Sequence, residues 1–250
     1  PDADTIHVLP QLWFRDTWSW GRRHRRPEVR HVSRPNGSGT IMAEQWRAGI
    51  YHLDAASGPN GHPRAIFCEN ETNNPKIWGD TVEPLTDYPK DGINDHVLHG
   101  APTVNPRLEG TKAAWWYEMT VEPGETVELR LRLWSPTEGD PVDPAWPANK
   151  FEEVMALREA EADEFYAAIA PEERSAEEIA VMRQAFAGMI WTKQFYRYDV
   201  KLWLDGDPQE PPPPPGHAHI RNQNWRHLDA YGVLSTPDAW EHPWFAAWGL

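Results

Sequence analysis

The sequence predicts an α+β fold in which a β-rich part precedes a helical part, and three observations support this. Residues 126–134 alternate between apolar and charged side chains, which is the period of a strand with one buried face. Residues 136–149 are rich in Pro and Asp, as linkers are. Beyond residue 150 the apolar residues recur at the spacing of an amphipathic helix. We therefore expect an antiparallel β-sandwich at 1–135, a linker and linker helix at 136–174, and a helical region at 175–250.

The β-rich part contains one strong strand, Thr126–Trp134, and several shorter candidates. Because Glu122–Glu125 has turn composition, the sequence predicts a hairpin between this strand and Ala113–Val121. The shorter candidates are Thr5–Leu9, Thr40–Trp46, Gly49–Leu53 and Arg64–Cys68. The first of them begins almost at residue 1, and the chain stops soon after an aromatic run at 243–248. We therefore expect a partial sandwich, with strands missing before it and helices missing after it.

Two helices are expected in the second part. The first carries its apolar face at Phe151, Val154, Leu157, Phe165 and Ile169, and ends at Pro171. The second begins at a capping box formed by Ser175 and Glu178. We expect it to continue to about Leu204, before the Asp205–Pro208 break.

Composition excludes several classes of function. The 250 residues carry 24 basic and 38 acidic side chains, and the net charge of −14 argues against nucleic acid as a partner. No apolar run is long enough to span a bilayer, and we identify no signal peptide, so no membrane partner is expected. Cys68 is the only cysteine, which fits a reducing compartment and a cytoplasmic protein. Asn70-Glu71-Thr72 matches the N-glycosylation pattern, which we interpret as coincidence.

The 15 tryptophans allow two interpretations, either core packing or flat surfaces for the apolar face of a sugar ring. In the 191–199 cluster, Lys193 and Gln194 lie near one helical face beside Trp191. This arrangement fits a helix tip in a cleft, and equally a solvated basic patch. Asn224 and Trp225 belong to a second cluster, whose hydrogen-bonding groups suit sugar hydroxyls or a polar surface loop.

A third cluster, at 236–248, combines carboxylates with indole rings. It contains Trp240, Glu241, Trp244 and Trp248. Stacking surfaces and acids are what a glycosidase pocket needs, although the same residues also fit the entry of a helix with Pro243 in its first turn.

Two further features carry less weight. His217 and His219 form a His-x-His pair, but no third ligand is evident nearby, so we expect no metal and no cofactor. The five prolines at 211–215 must be extended, and they form either a stiff loop or a ligand for a proline-reading domain.

Six segments of the chain resemble bacterial glycoside hydrolases related to family 63, the family of mannosyl-oligosaccharide glucosidases. They are Leu9–Gly21, Glu69–Asn74, Asn105–Ala114, Arg183–Tyr196, Asn224–Leu228 and Trp240–Trp248. Such enzymes pair an N-terminal β-sandwich with a C-terminal (α/α)₆ barrel. The resemblance thus implies an internal fragment that holds part of the sandwich, the linker helix and the first helices of the barrel.

The resemblance also implies a mechanism. Family members hydrolyse α-glycosidic bonds with inversion, using an acid and a base roughly 6.5–9.5 Å apart. The acid is expected at Gly249, which has no side chain, and the base beyond Leu250. Ala239 and His242 stand where the family usually has Lys and Tyr.

The resemblance therefore implies that no catalytic residue is intact in this chain. The sugar subsite is assigned to nine residues. They are Trp240, Glu241, Trp244, Trp248, Trp191, Lys193, Gln194, Asn224 and Trp225.

Three functional hypotheses follow. The first is a fragment of an inverting glycosidase that acts on α-glucosides or related oligosaccharides and is inactive as cut. Its partners are carbohydrate and the missing parts of its own full-length chain. The second is a non-catalytic carbohydrate-binding or degenerate homologue. The third is an incompletely folded fragment whose bare helix faces promote aggregation.

Overall fold

The computed structural model describes residues 2–20, 25–34, 39–136, 150–171, 174–191, 198–220 and 222–230. The chain divides into two compact units, Pro1–Glu153 and Val154–Leu250. Among the residues just given, the first unit holds antiparallel sheets and two short α-helices, and the second holds helices with one small strand pair. The chain is thus an α+β protein with antiparallel sheets, as the sequence predicts.

The first sheet is built around one long central strand, β8. Its strands are β1 (Asp4–Val8), β2 (Gln11–Trp13), β6 (Arg64–Cys68) and β8 (Lys112–Val121). β1 and β2 pair with one edge of β8 in a single register, from Asp4 opposite Val121 to Trp13 opposite Lys112. The strand pairing is interrupted at Leu9 and Pro10, where the Trp115 N–H donates to the Pro10 carbonyl at 3.0 Å. β6 pairs with the other edge of β8.

The second sheet has five antiparallel strands in the order β7-β3-β4-β5-β9. They are β3 (Glu28–Ser33), β4 (Gly39–Gln45), β5 (Gly49–Ala55), β7 (Glu109–Gly110) and β9 (Leu131–Trp134). Of these, β3 and the two-residue β7 have no counterpart among the sequence-based predictions, because β3 alternates less clearly than its neighbours and β7 is too short to show a pattern.

The two sheets pack face to face around a shared apolar core, which makes this unit a β-sandwich. Alternate residues of β8, together with Phe67, face alternate residues of β3, β4 and β5. The buried set is Val29, Ile41, Ala43, Leu53, Ala55, Phe67, Ala113, Trp115, Tyr117 and Met119.

The opposite face of the first sheet is covered by a helix. The two helices of this unit are α1 (Asn74–Trp78) and α2 (Gly92–His99). Ile93 and Val97 of α2 pack with Ile66, Ala114 and Trp116. β8 is therefore buried on both faces, which explains its nearly continuous apolar run.

The predicted hairpin between β8 and the strand ending at Trp134 is wrong. Only Leu131–Trp134 is a strand, and it pairs with β5 in the other sheet, Leu53 opposite Leu133. The 122–130 segment carries the chain from one sheet to the other, with Val127 and Leu129 packed against the core. The alternating pattern correctly placed Val127, Leu129 and Leu131 against the core, whereas Leu133 is 58% exposed. The pattern holds no information about the strand's partner.

The second unit contains α3 (Phe151–Ile169), α4 (Ala176–Trp191) and α5 (Val200–Asp205). α3 begins three residues before the boundary between the units. The predicted capping box is present, since the Ser175 N–H donates to the Glu178 carboxylate at 2.9 Å and the Glu178 N–H donates to Ser175 Oγ at 3.3 Å. No described side chain of α3 or α4 is fully buried.

The predicted continuation of α4 to about Leu204 is wrong. Tyr198–Asp199 is a short strand, β10, paired with β11 (Asp229–Ala230). Asp199 then caps a new helix, because its carboxylate accepts a 3.1 Å hydrogen bond from the Leu202 N–H. Val200 and Leu204 are buried here.

Within the described ranges, no helix combines the length and the apolar character that crossing a membrane would need.

Candidate functional site

Residues 69–76, the loop that follows β6 together with the first turn of α1, form a polar segment with hydrogen bonds to several parts of the sandwich unit. It joins three of the segments on which the family resemblance rests. The Asn70 side-chain amide donates to the Phe14 carbonyl at 2.9 Å, and the Asn70 backbone N–H donates to Thr111 Oγ1 at 2.7 Å. Residues far apart in sequence thus meet at one place, which we call the 69–76 loop site.

Two carboxylates of this loop share one guanidinium. Arg26 Nη2 lies 2.8 Å from Glu69 Oε2 and 3.4 Å from Glu71 Oε1. Glu71 also accepts a 2.9 Å hydrogen bond from the Trp18 indole N–H, and Glu69 accepts one of 2.8 Å from Thr111 Oγ1. The Glu71 side chain is only 5% exposed, so its charge is compensated inside the protein.

This arrangement fixes the loop and does not form an acid–base pair. An inverting glycosidase needs an open gap between its two carboxyls for the attacking water. Here Arg26 bridges Glu69 and Glu71 instead. The bridged pair is therefore suited to fixing the conformation of the loop, against which other groups or a ligand can pack.

Close backbone packing positions Thr111 for its part in the site. A side chain at the preceding residue, Gly110, would place its Cβ 2.3 Å from the Cys68 carbonyl oxygen, so only glycine fits. The Thr111 N–H in turn donates to that carbonyl at 3.2 Å.

α2 and the residues before it hold the other side of the loop. The Lys76 ammonium lies 2.8 Å from Asp91 and 3.3 Å from Asp95, and Lys90 Nζ donates to Thr72 Oγ1 at 3.0 Å. Hydrogen bonding to Asp91 raises the pKa of Lys76, and hydrogen bonding from Lys76 lowers the pKa of Asp95.

An exposed indole ring, Trp13, and a half-buried one, Trp20, lie on the segment that contacts the loop. Trp13 is 49% exposed, and the ammonium of its cross-strand neighbour Lys112 lies 5.0 Å from the ring centroid. The Arg15 guanidinium lies 5.2 Å from the Trp20 ring. Indole surfaces beside fixed donors and carboxylates are chemically suited to a polyhydroxylated ligand.

Of the nine sugar-subsite residues expected from the sequence, three fall on described residues. Trp191, the last residue of α4, is 84% exposed, and Trp225 is 56% exposed and stacks on His227 with ring centroids 5.7 Å apart. Asn224 is exposed as well. The remaining expectations lie outside the described residues. They are Lys193, Gln194, Trp240, Glu241, Trp244, Trp248 and the acid position at Gly249.

His217 of the predicted His-x-His pair has partners within the protein. His217 Nε2 donates to the Trp203 carbonyl oxygen at 2.7 Å, with the two rings 5.3 Å apart. No group of three or more metal-ligating side chains is assembled in the part of the chain that the structure describes.

Sequence reasoning missed the 69–76 loop site as a structural unit. Asn70 drew notice as a glycosylation match and as part of the Glu69–Asn74 segment, whereas the structure shows its side chain half-buried and bonded to Phe14. The available signal was that the Leu9–Gly21, Glu69–Asn74 and Asn105–Ala114 segments are each rich in Asn, Glu, Thr or Trp. Their proximity could not be foreseen without the sheet pairings.

Comparison with known proteins yields one informative relative. The chain is 31% identical over 275 aligned positions to the uncharacterized protein YMR196W of Saccharomyces cerevisiae. The match covers 99% of this chain and 25% of the yeast protein, so the chain spans about a quarter of that relative's length. No protein-family model matches the chain. No solved structure matches it significantly.

Proposed function

We propose that this chain is part of an inverting glycoside hydrolase related to family 63, acting on α-glucosides or related oligosaccharides, and that it has no turnover by itself. One observation carries the proposal. Three separate segments that resemble the family are bonded together at the 69–76 loop site, through Asn70, Thr111 and Glu71. Three matching segments that are bonded together in the fold support membership of one family better than matches scattered over the structure would.

The second unit adds independent support. α3 and α4 expose large apolar side chains along their length, as helices do when a further layer of protein covers them. These side chains are Val154, Met155, Leu157, Phe165, Ile169, Val181, Phe186, Met189 and Ile190. We propose that they belong to the first helices of an (α/α)₆ barrel, whose other helices come from the same longer polypeptide. The yeast relative, of whose length this chain spans about a quarter, is consistent with a longer polypeptide.

In this proposal the sugar subsite is formed by the nine residues from Trp191 to Trp248 named above, and carbohydrate is the partner. Gly249 at the acid position leaves this polypeptide without a proton donor. The single buried thiol of Cys68 supports a reducing compartment, and we propose the cytoplasm.

The first test is hydrolysis of an aryl α-glucoside by the 250-residue chain and by a longer protein that includes it. We expect no release above the blank from the 250-residue chain, and release with inversion at the anomeric carbon from the longer protein once it carries Asp at position 249. Anomer-resolved NMR of the first product distinguishes inversion from retention. Turnover by the 250-residue chain overturns the no-turnover claim, and a retained anomeric configuration overturns the family assignment.

The alternative is a non-catalytic carbohydrate-binding or degenerate homologue, favoured by Gly249 at the acid position. Here the longer protein binds maltose or kojibiose in a calorimeter but does not hydrolyse them. A Gly249→Asp change in the longer protein separates the two cases. Restored hydrolysis shows an enzyme that lost its acid, whereas unchanged binding without hydrolysis supports a binding protein.

A further inference from the structure

A cavity of about 310 Å³ opens between the β1–β2 edge of the first sheet and α2. Its polar lining consists of His7, Gln11, Lys90, Asn94 and Lys112, with no carboxylate among the lining residues. The chain as a whole carries 38 acidic side chains against 24 basic ones. The cavity is lined by two ammonium groups and no acid, so its charge is opposite in sign to the net charge of the chain.

The hydrogen bonding of His7 adds a further donor. The Trp116 indole N–H, which can only donate, lies 2.9 Å from His7 Nδ1. Nδ1 must therefore accept, and the proton of the neutral imidazole is on Nε2. His7 is left with an N–H donor as its remaining hydrogen-bonding group.

The two lysines keep hydrogen-bonding capacity for a ligand. Lys90 Nζ donates to Thr72 Oγ1, which uses one of its three protons. The Lys112 ammonium lies over the Trp13 ring. Among the described residues, neither ammonium forms an ion pair with a carboxylate. Both charges are thus available to an anion.

The remaining lining is apolar and comes mostly from one helix. It consists of Leu9, Ile93, Val97 and Leu98. An apolar wall opposite a set of cationic and neutral donors fits a molecule with a charged end and a short hydrocarbon body. A volume of about 310 Å³ is at the small end of ligand pockets, so the body is limited to a few carbon atoms.

We propose that this cavity binds a small organic carboxylate, with the carboxylate held by Lys90 and Lys112 and the hydrocarbon body against α2. The site lies in the sandwich unit and is independent of the sugar subsite proposed for the second unit. Its occupancy does not depend on whether the chain belongs to a glycosidase.

The test is a titration of the ¹⁵N-labelled 250-residue chain with hexanoate, followed by NMR at the Trp116 indole N–H and the backbone amides of α2. Hexanol is the matched uncharged probe, and inorganic phosphate is the anion without a hydrocarbon body. We expect saturable shifts with hexanoate and at least tenfold weaker binding of both other probes. Hexanol or phosphate binding as tightly as hexanoate, or no saturable shift with hexanoate, overturns the proposal.

Variants locate the site. Lys112→Gln and Lys90→Gln are each expected to weaken hexanoate binding about tenfold. The matched control is Lys201→Gln, the same change at an exposed lysine of α5, with affinity unchanged. Lys112→Arg keeps the charge and is expected to bind. If Lys112→Gln does not fold, Lys90→Gln decides the question, and unchanged affinity in that variant contradicts the proposal.

Discussion

The indole N–H of Trp115 donates a 2.9 Å hydrogen bond to the carbonyl oxygen of Leu53, and this bond joins the two sheets of the sandwich. Trp115 is 1% exposed and is flanked by the rings of His31 and His62, at centroid distances of 6.1 and 5.3 Å. One side chain thus fills the sandwich core and satisfies a buried acceptor of the opposite sheet.

Trp115→Ala is expected to destabilise the sandwich unit by about 3–5 kcal/mol, because it leaves a cavity and removes the bond to Leu53. The measurement is urea unfolding followed by circular dichroism. Trp225→Ala, at an exposed ring of the second unit, is the control and is expected to change stability by less than about 0.5 kcal/mol. Equal effects of the two variants contradict the core role of Trp115.

Glu71→Ala is expected to cost about 1–3 kcal/mol, because it leaves the Trp18 indole N–H without its acceptor and removes one of the two carboxylates that pair with Arg26. Trp18→Phe removes the donor, so the double variant should cost less than the sum of the single variants. Chemical denaturation of all three proteins measures this coupling. The exposed Glu122→Ala is the control, and strict additivity refutes the coupling.

Arg34 and Asp54 form a buried ion pair on the outer face of the second sheet, with Arg34 Nη2 2.6 Å from Asp54 Oδ1. The Trp134 indole N–H donates to the other carboxylate oxygen at 2.8 Å. Asp54→Ala is expected to cost about 3–5 kcal/mol, since it leaves a buried guanidinium uncompensated.

An Arg34→Met, Asp54→Leu double variant is expected to regain most of that stability, because no buried charge remains. Thermal unfolding of the three proteins checks this. A double variant no more stable than Asp54→Ala shows that the pair contributes net stability.

Cys68 is expected to be unreactive in the native protein. Its side chain is fully buried, and burial raises the pKa of the thiol to about 12. The reactive form is the thiolate, which is scarce at pH 8 for such a group. A chromogenic disulfide reagent should label one thiol per chain in denaturant and almost none without it. Rapid native labelling is the contrary result.

Stability is expected to decrease as pH falls below the ordinary histidine pKa of 6.5. Burial lowers the pKa of His31, His52 and His62, with the charge of His31 adding to the effect on His62. The unfolded chain then binds more protons than the folded one, so stability is complete above pH 6.5 and is lost progressively below it. The lowered carboxyl pKa values of Asp95 and Glu178 act only below their ordinary values of 3.8 and 4.5, outside this window.

Urea midpoints between pH 8 and pH 5 measure the effect. A His31→Gln, His62→Gln double variant should lose part of the slope, and the exposed His99→Gln control should keep it. An unchanged slope in the double variant assigns the dependence to other groups.

Part of the 69–76 loop site could be predicted from the sequence. The β6 strand before it was predicted from its apolar residues, and the polar residues after it were noticed. What could not be predicted is that Trp18 and Arg26, in the connection between β2 and β3, meet Thr111, which lies between β7 and β8. Sequence patterns report which face of an element is buried, but pairing distant elements requires knowledge of the register.

The sequence alone determined local features: the strands at β1, β4, β5 and β6, the α3 helix and the Ser175–Glu178 cap. Each depends on residues within a few positions of one another, where periodicity and capping chemistry are direct signals. The tertiary structure decided that β9 pairs with β5 and not with β8, and that Trp115 joins the sheets. Those choices follow from burying one continuous apolar surface among strands distant in sequence, a condition that no local window contains.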